Sequence, residues 1–107
     1  MPGLGYYPEE ATTAFAYESL SVTSGAAVGC TSATYAPASG APPASRAYVT
    51  VENAQIRFRT DGTAPTTTEG HIVNPGTALE LLGIGNIIGF KAIATSATAT
   101  LKVTYER

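Results

Sequence analysis

Alternation of apolar and polar residues predicts a series of short β-strands along this chain. The clearest case is residues 97–106, where Leu101, Val103 and Tyr105 alternate with polar side chains. Because successive side chains of a strand point to opposite faces, these three residues share one face. The same criterion predicts strands at 18–23, 47–52, 55–59, 71–73, 78–82 and 87–94, and a short one at 31–35.

Turn residues separate these segments. Asp61-Gly62 follows one strand and Asn74-Pro75-Gly76 follows another, and both sequences favour tight turns. No apolar period near 3.6 is sustained anywhere in the chain, so no helix is expected. We therefore expect an all-β fold: a single antiparallel β-sandwich or small barrel of seven to eight short strands, with an extended N-terminal arm.

The arm is expected to span residues 1–17, and the β-sandwich domain residues 18–107. Tyr6 and Tyr7 stand among prolines and glycines near the start of the chain, in a segment without a strand pattern. Tyrosine buries a large area at low entropic cost, so both residues are candidates for binding a partner. A loose tail is the alternative.

Two segments leave alternatives open. Residues 9–17 suit a helix start at Pro8-Glu9-Glu10, but Phe15 and Tyr17 alternate as in a strand. We favour the extended form. Residues 36–45 contain three prolines and several small side chains, which cannot sit inside a sheet or build a core. This segment is expected to be a loop or a docking strap.

Charged residues are scarce, at 13% of the chain, with six Lys and Arg against eight Asp and Glu. A soluble domain usually carries about a quarter. No basic field could neutralise phosphates, so we expect no nucleic-acid partner. The sequence contains no apolar run of about 18 residues and starts without the pattern of a signal peptide. We expect no membrane span, and synthesis in the cytoplasm.

Few side chains could support catalysis or metal binding. The chain has one Asp (Asp61), one His (His71) and one Cys (Cys30). No Gly-x-Ser-x-Gly sequence would expose a nucleophilic serine, and one His with one Cys cannot complete a zinc site. The glycine spacing of Gly83–Gly89 departs from that of a dinucleotide-binding turn. We expect no enzyme activity, no metal and no cofactor, with Cys30 as a small buried side chain.

Arg57 and Arg59 are the strongest candidates for contact with a partner. The period of two places both on one face of a strand, in a chain with few other charges. A guanidinium can bind a partner's carboxylate, and its stem can cover apolar surface. The alternative is a solvated face on which both arginines pair with Glu52 or Glu80 of neighbouring strands.

Four stretches carry a resemblance to a known group of proteins: Arg46–Glu52, Ile56–Thr66, Gly70-His71 and Leu79–Leu81. In these stretches the chain resembles small all-β structural proteins encoded among the virion genes of tailed phages. The resemblance extends over residues 18–106 and is strongest over residues 48–81. It consists of folding signals, not of a catalytic motif.

The resemblance implies a head decoration (cement) protein on the outer capsid surface of a virion. Its partners would be the major capsid protein and further copies of itself, with a trimer favoured, and no catalytic residue is carried over. A tail, baseplate or fibre-associated virion component is the main alternative. A glycan- or receptor-binding β-sandwich module is another, although the chain has no Trp to stack on sugar rings.

Overall fold

The computed structural model describes residues 11–37 and 40–107, and within these ranges the chain forms eight strands and two short helices. The strands, in chain order, are β1 (Ala14–Val22), β2 (Val28–Gly29), β3 (Arg46–Glu52), β4 (Ile56–Arg59), β5 (His71–Val73), β6 (Ala78–Leu82), β7 (Lys91–Ala94) and β8 (Ala99–Glu106). The helices are α1 (Ser32–Tyr35), between β2 and β3, and α2 (Ile84–Gly89), between β6 and β7.

The strands form two antiparallel sheets of four strands each within the described part of the chain. The first sheet has the order β1-β8-β3-β6, and the second has the order β2-β7-β4-β5. Every connection between consecutive strands crosses from one sheet to the other, except the one from β4 to β5. The all-β prediction is confirmed, and the two separate sheets make the fold a sandwich instead of a barrel.

The core lies between the sheets and follows the alternation seen in the sequence. The inward residues of β3 and β8 are fully buried or nearly so: Ala47, Val49, Val51, Ala99, Leu101, Val103 and Tyr105. Ile56 of β4 and Phe90, which precedes β7, are fully buried in the same cluster. Fully burying a side chain of this size stabilises a fold by roughly 1.5–3 kcal/mol. These positions therefore hold the two sheets together.

Helix α1 occurs where the sequence suggested a strand at 31–35, and that prediction is wrong. Its single turn brings Tyr35 into the core, with its ring centroid 6.0 Å from that of Tyr105. The backbone N–H of Tyr35 donates to the carbonyl of Thr31 at 3.1 Å. A turn of helix buries this aromatic ring, and packing of this kind overrides the local strand preference of β-branched residues.

Helix α2 replaces the first part of the strand expected at 87–94, so β7 begins only at Lys91. Ile84 and Ile87 lie one helical turn apart and both pack on the core, whereas Ile88 is exposed. The short run of isoleucines is compatible with a strand or a helix by period alone. Contact with the core selects the helix.

The first strand begins at Ala14, so residues 14–17 belong to the sandwich instead of to the arm expected over residues 1–17. The extended form favoured for this segment is present from Ala14 onward. Backbone bonds between Thr13 and Arg107, at 3.0 and 3.1 Å, continue the pairing of β1 with β8. Tyr6 and Tyr7 lie outside the described residues.

The segment 36–45 contains no helix or strand in its described parts, 36–37 and 40–45, as the prolines predict. Ala44 is buried, and its N–H donates to the carbonyl of Tyr35 at 2.7 Å. Arg107 donates to the carbonyl of Pro42 at 3.2 Å. The end of this loop is therefore tied to the body of the sandwich.

Candidate functional site

Arg57 holds a loop against the outer face of the second sheet. Its Nη1 donates to the carbonyl oxygen of Gly70 at 2.8 Å, and its Nε donates to that of Thr67 at 3.1 Å. Pro65 of the same loop is buried, and a Cβ built on Gly70 would lie 3.2 Å from the Cβ of Arg57. Arg57 therefore stabilises the loop spanning residues 60–70, and its guanidinium binds the chain's own carbonyls.

Arg59 forms a two-point ion pair with Asp61 at the turn after β4. Its Nε lies 3.1 Å from Oδ1 of Asp61 and its Nη2 lies 2.5 Å from Oδ2. Oδ1 also accepts the backbone N–H of Thr63 at 3.2 Å. These bonds, that of Arg59 foremost, lower the pKa of Asp61 to about 2 from an ordinary value of 3.8. Arg59 thus pairs within its own turn instead of with the strand residues Glu52 or Glu80.

This ion pair should make the stability of the protein decrease at acidic pH. A carboxyl whose pKa is lower in the folded state stabilises the fold above its unfolded pKa and loses that contribution as the pH falls through its folded pKa. For Asp61 the window runs from about pH 4 to about pH 2. We expect the melting temperature of the Asp61→Asn variant to change less with pH in this window than that of the parent protein.

Arg59→Gln serves as the matched variant, because it removes the ion pair while keeping the carboxylate and its bond from the Thr63 N–H, and it should remove most of the pH dependence. A carbon-13 NMR titration of the Asp61 carboxyl in the parent protein measures its pKa directly. A carboxyl that titrates near 3.8, or an Asp61→Asn profile parallel to that of the parent, would contradict the expectation.

A surface depression of about 390 Å³ lies beside this ion pair. Its lining residues are Arg59, Thr60, Asp61, Glu69, Gly70 and His71. His71 packs beside Phe58, with ring centroids 5.4 Å apart. The lining residues include neither serine nor cysteine, and the guanidinium of Arg59 is bonded to Asp61. The depression is a polar surface feature.

A second cluster of polar groups joins β1 to β8 and to the segment before α1. The hydroxyl of Tyr105 donates to Oε2 of Glu18, which also accepts the backbone N–H of Thr31 at 3.0 Å. Burial raises the pKa of the Tyr105 hydroxyl well above its usual range and also raises the pKa of the half-buried Cys30 thiol. A thiol with a raised pKa is a poor nucleophile. This cluster therefore maintains the fold.

The outer face of the first sheet exposes two tyrosines in one row. Tyr17 on β1 and Tyr48 on β3 both pair with Thr104 of the central strand β8, one from each side. Their exposed fractions are 59% and 42%. We call the outer surface around Tyr17, Thr104 and Tyr48 the tyrosine face. Sequence reasoning missed it because neither tyrosine has a neighbour along the chain that marks it.

The charged side chains around the tyrosine face bind partners within the sheet. Arg46 pairs with Glu80 and, at 3.5 Å, with Glu106, at one end of the face. On the other side of the tyrosine row, Lys102 donates to Oγ of Ser19 at 2.8 Å. The row from Tyr17 through Thr104 to Tyr48 contains no charge, and Glu80 of β6 continues it directly beyond Tyr48. The centre of this face is therefore aromatic and hydroxyl-bearing, with a carboxylate at one side.

The two sequence candidates that the structure describes lie on the same side of the sandwich, away from the tyrosine face. Arg57 and Arg59 lie on the outer side of the second sheet, whereas the tyrosine face is the outer side of the first, so the sandwich separates them. Arg59 borders the depression, and Arg57 supports the loop behind it. Tyr6 and Tyr7, the other candidates, fall in the part of the chain that the structure does not describe.

No family model, curated protein or solved structure matches this chain. Among the described residues, no three His, Cys, Asp or Glu side chains are grouped so that they could hold a metal ion. In the same part of the chain, no helix has the length and apolar character needed to cross a membrane. The site is therefore interpreted from its own geometry.

Proposed function

We propose that this chain is a phage capsid decoration protein that binds the outer surface of the head and stabilises the shell. The observation that carries the proposal is that the side chains of Asp61 and Cys30 are engaged within the fold itself. Asp61 is bonded to Arg59, and the thiol of Cys30 has a raised pKa beside Tyr105. Such a molecule is suited to binding. The resemblance to virion proteins names the assembly it binds.

The segment that carries this resemblance contributes strands to both sheets. The segment where it is strongest, residues 48–81, includes most of β3 and β6 in the first sheet and all of β4 and β5 in the second. The residues on which the resemblance rests therefore lie in the strands that build the sandwich. A small domain that spans a seam between shell subunits adds binding free energy that must be lost before the shell opens.

Docking is assigned to the side of the second sheet, where Arg59 borders the surface depression. Arg57 supports this surface by holding the adjacent loop. Tyr6 and Tyr7 of the N-terminal segment add reach to the major capsid protein or to a neighbouring copy. In a trimer, three copies bind together, so weak single contacts become strong collectively.

The copy number of the protein in purified particles tests this proposal. Quantitative mass spectrometry should give about one copy per major shell subunit, because the capsid lattice alone offers so many equivalent sites. A few copies per hundred shell subunits would contradict decoration and favour a tail, baseplate or fibre component. Absence of the protein from washed particles would refute a place in the virion.

Particles stripped of the protein provide the control. They should open at a lower temperature than complete particles, and adding the purified protein back should restore the difference. An unchanged opening temperature would leave the protein bound to the head without the stabilising role proposed for it, and that role would then be wrong.

A further inference from the structure

We propose that the tyrosine face binds a neutral glycan chain, with Tyr17 and Tyr48 contacting sugar rings two units apart. This binding function goes beyond capsid decoration and does not depend on it. It uses the outer side of the first sheet, whereas the decoration proposal uses the opposite side of the sandwich. A domain attached to a shell through the second sheet would leave this face directed away from the shell.

The spacing of the two tyrosines supports this ligand. Tyr17 and Tyr48 stand on β1 and β3 and share Thr104 of β8 as their neighbour. Adjacent strands lie about 4.8 Å apart, so the two tyrosines are roughly 10 Å apart across the sheet. This is about the advance of two sugar units in an extended glycan. A chain lying across the strands could therefore contact both side chains.

The chemistry between and beside the tyrosines also fits a sugar. Thr104 lies between them, and Ser19 and Thr50 occupy the adjacent row on either side of Lys102. Hydroxyl groups both donate and accept hydrogen bonds, as sugar hydroxyls do. An aromatic side chain offers an apolar surface to the C–H face of a sugar ring and keeps its polar end in water.

The charge pattern favours a neutral glycan over an acidic one. Arg46, which could otherwise attract an anionic sugar, is paired with Glu80 and Glu106. Lys102 donates to the hydroxyl of Ser19 at 2.8 Å. Among the described residues Lys102 has no carboxylate partner. An acidic chain in the tyrosine row would nevertheless meet Glu80 directly beside Tyr48 and Glu106 in the adjacent row, whereas a neutral chain leaves the ion pairs intact.

The same face is less suited to a protein partner. Energetically important protein contacts, in which Tyr is common, cluster in well-packed and fully desolvated pockets. Here a threonine separates the two aromatic side chains, and the adjacent row contains Ser19, Lys102 and Thr50. The exposed Leu82 lies in the next row beyond Tyr48, beside the ion pairs of Arg46, and not in the tyrosine row. The tyrosines are therefore two separate aromatic contacts in a hydroxyl-bearing surface.

Calorimetric titration of the full chain with soluble hexasaccharides tests the proposal. The probes are a neutral β-1,4-linked glucose hexamer, a neutral α-1,4-linked glucose hexamer and an anionic galacturonic acid hexamer. We expect binding to the extended β-1,4-linked hexamer, and weaker binding to the coiled α-1,4-linked hexamer and to the anionic one. No detectable binding to the β-1,4-linked hexamer, or tighter binding to the anionic hexamer, would overturn the proposal.

Variants of the face connect binding to its residues. The double variant Tyr17→Ala/Tyr48→Ala should weaken binding about tenfold or more, because it removes both aromatic contacts. Tyr17→Phe/Tyr48→Phe, which keeps both rings, should retain most of the affinity. Ile72→Ala changes a similarly exposed apolar residue on β5 of the other sheet and should have no effect. Unchanged binding in the double alanine variant would refute the assignment.

The two proposals fail in distinguishable ways. A protein missing from particles refutes decoration while leaving glycan binding by the isolated chain untouched. If the double alanine variant lost capsid attachment, and the parent bound no neutral hexamer, the tyrosine face would be the capsid-docking surface and the glycan proposal would be wrong. The alanine and phenylalanine double variants change only the exposed side chains of Tyr17 and Tyr48. Their melting temperatures should therefore remain near that of the parent.

Discussion

Tyr105→Ala is expected to lower the free energy of unfolding by about 3–5 kcal/mol, the range for removing a large aromatic side chain from a core. Tyr105 is among the largest fully buried side chains and packs against Tyr35, with ring centroids 6.0 Å apart. Its loss would leave a cavity between the sheets and also remove the donor to Glu18. For a domain of this size, the melting temperature should fall by about 15 °C or more.

Tyr105→Phe separates the two contributions. It keeps the ring and deletes only the hydroxyl, whose net hydrogen bond to a charged group is worth roughly 1.5–3 kcal/mol. Glu18 would still accept the backbone N–H of Thr31 at 3.0 Å. Chemical denaturation of both variants measures the difference. A phenylalanine variant as unstable as the alanine variant would mean that the polar cluster, not ring packing, dominates at this position.

Gly89→Ala is expected to destabilise the protein by about 1–3 kcal/mol, as overpacking of a tight contact does. Gly89 ends α2 against the turn that follows β4. A Cβ at this position would overlap the carbonyl oxygen of Thr60 and lie 2.9 Å from its carbonyl carbon. The carbonyl of Gly89 also accepts the N–H of Gly62 at 3.2 Å. Both sides of the contact are backbone, so the turn itself must move.

Gly85→Ala in the same helix is the matched control. A Cβ at Gly85 would meet nothing within 4 Å. Alanine exceeds glycine in helix propensity, so this variant should gain up to about 1 kcal/mol. The two glycine variants should therefore shift the denaturation midpoint in opposite directions. A stabilising Gly89→Ala would contradict the close packing of α2 on the turn.

The Gly89 contact also links the fold to the candidate docking side. The turn that packs on Gly89 contains Thr60 and Asp61, and both line the depression beside Arg59. A shift of this turn should change the Arg59–Asp61 geometry together with the stability. Gly89→Ala should therefore raise the pKa of Asp61 from about 2 towards its ordinary value of 3.8.

Much of the fold is predictable from local patterns in the sequence. Alternation over residues 97–106 and 47–52 reflects the two-residue period of a strand, which depends only on neighbouring residues. Turn residues such as Gly62 and Asn74-Pro75-Gly76 mark where strands end. The scarcity of Asp, His and Cys likewise limits the chemistry available to the chain, whatever its fold. These features are properties of short segments and of composition.

The same local reasoning missed both helices and expected strands in their place. The isoleucines of α2 form a run that fits either period, and the choice depends on Ile87 reaching the core and Gly89 touching Thr60. Arg57 was correctly placed on an outward strand face, but its guanidinium binds carbonyls of Thr67 and Gly70. Residues close in space but distant in sequence decide each case.

The sequence by itself determined the strand-rich composition, the alternating core and the low charge of this protein. Tertiary structure alone decided which strands are neighbours. That pairing places Tyr17 and Tyr48 on either side of Thr104, although 30 residues separate the two tyrosines along the chain. The two-residue period of a strand determines which of its side chains share a face. The order of strands in a sheet depends on long-range packing, which no short segment encodes.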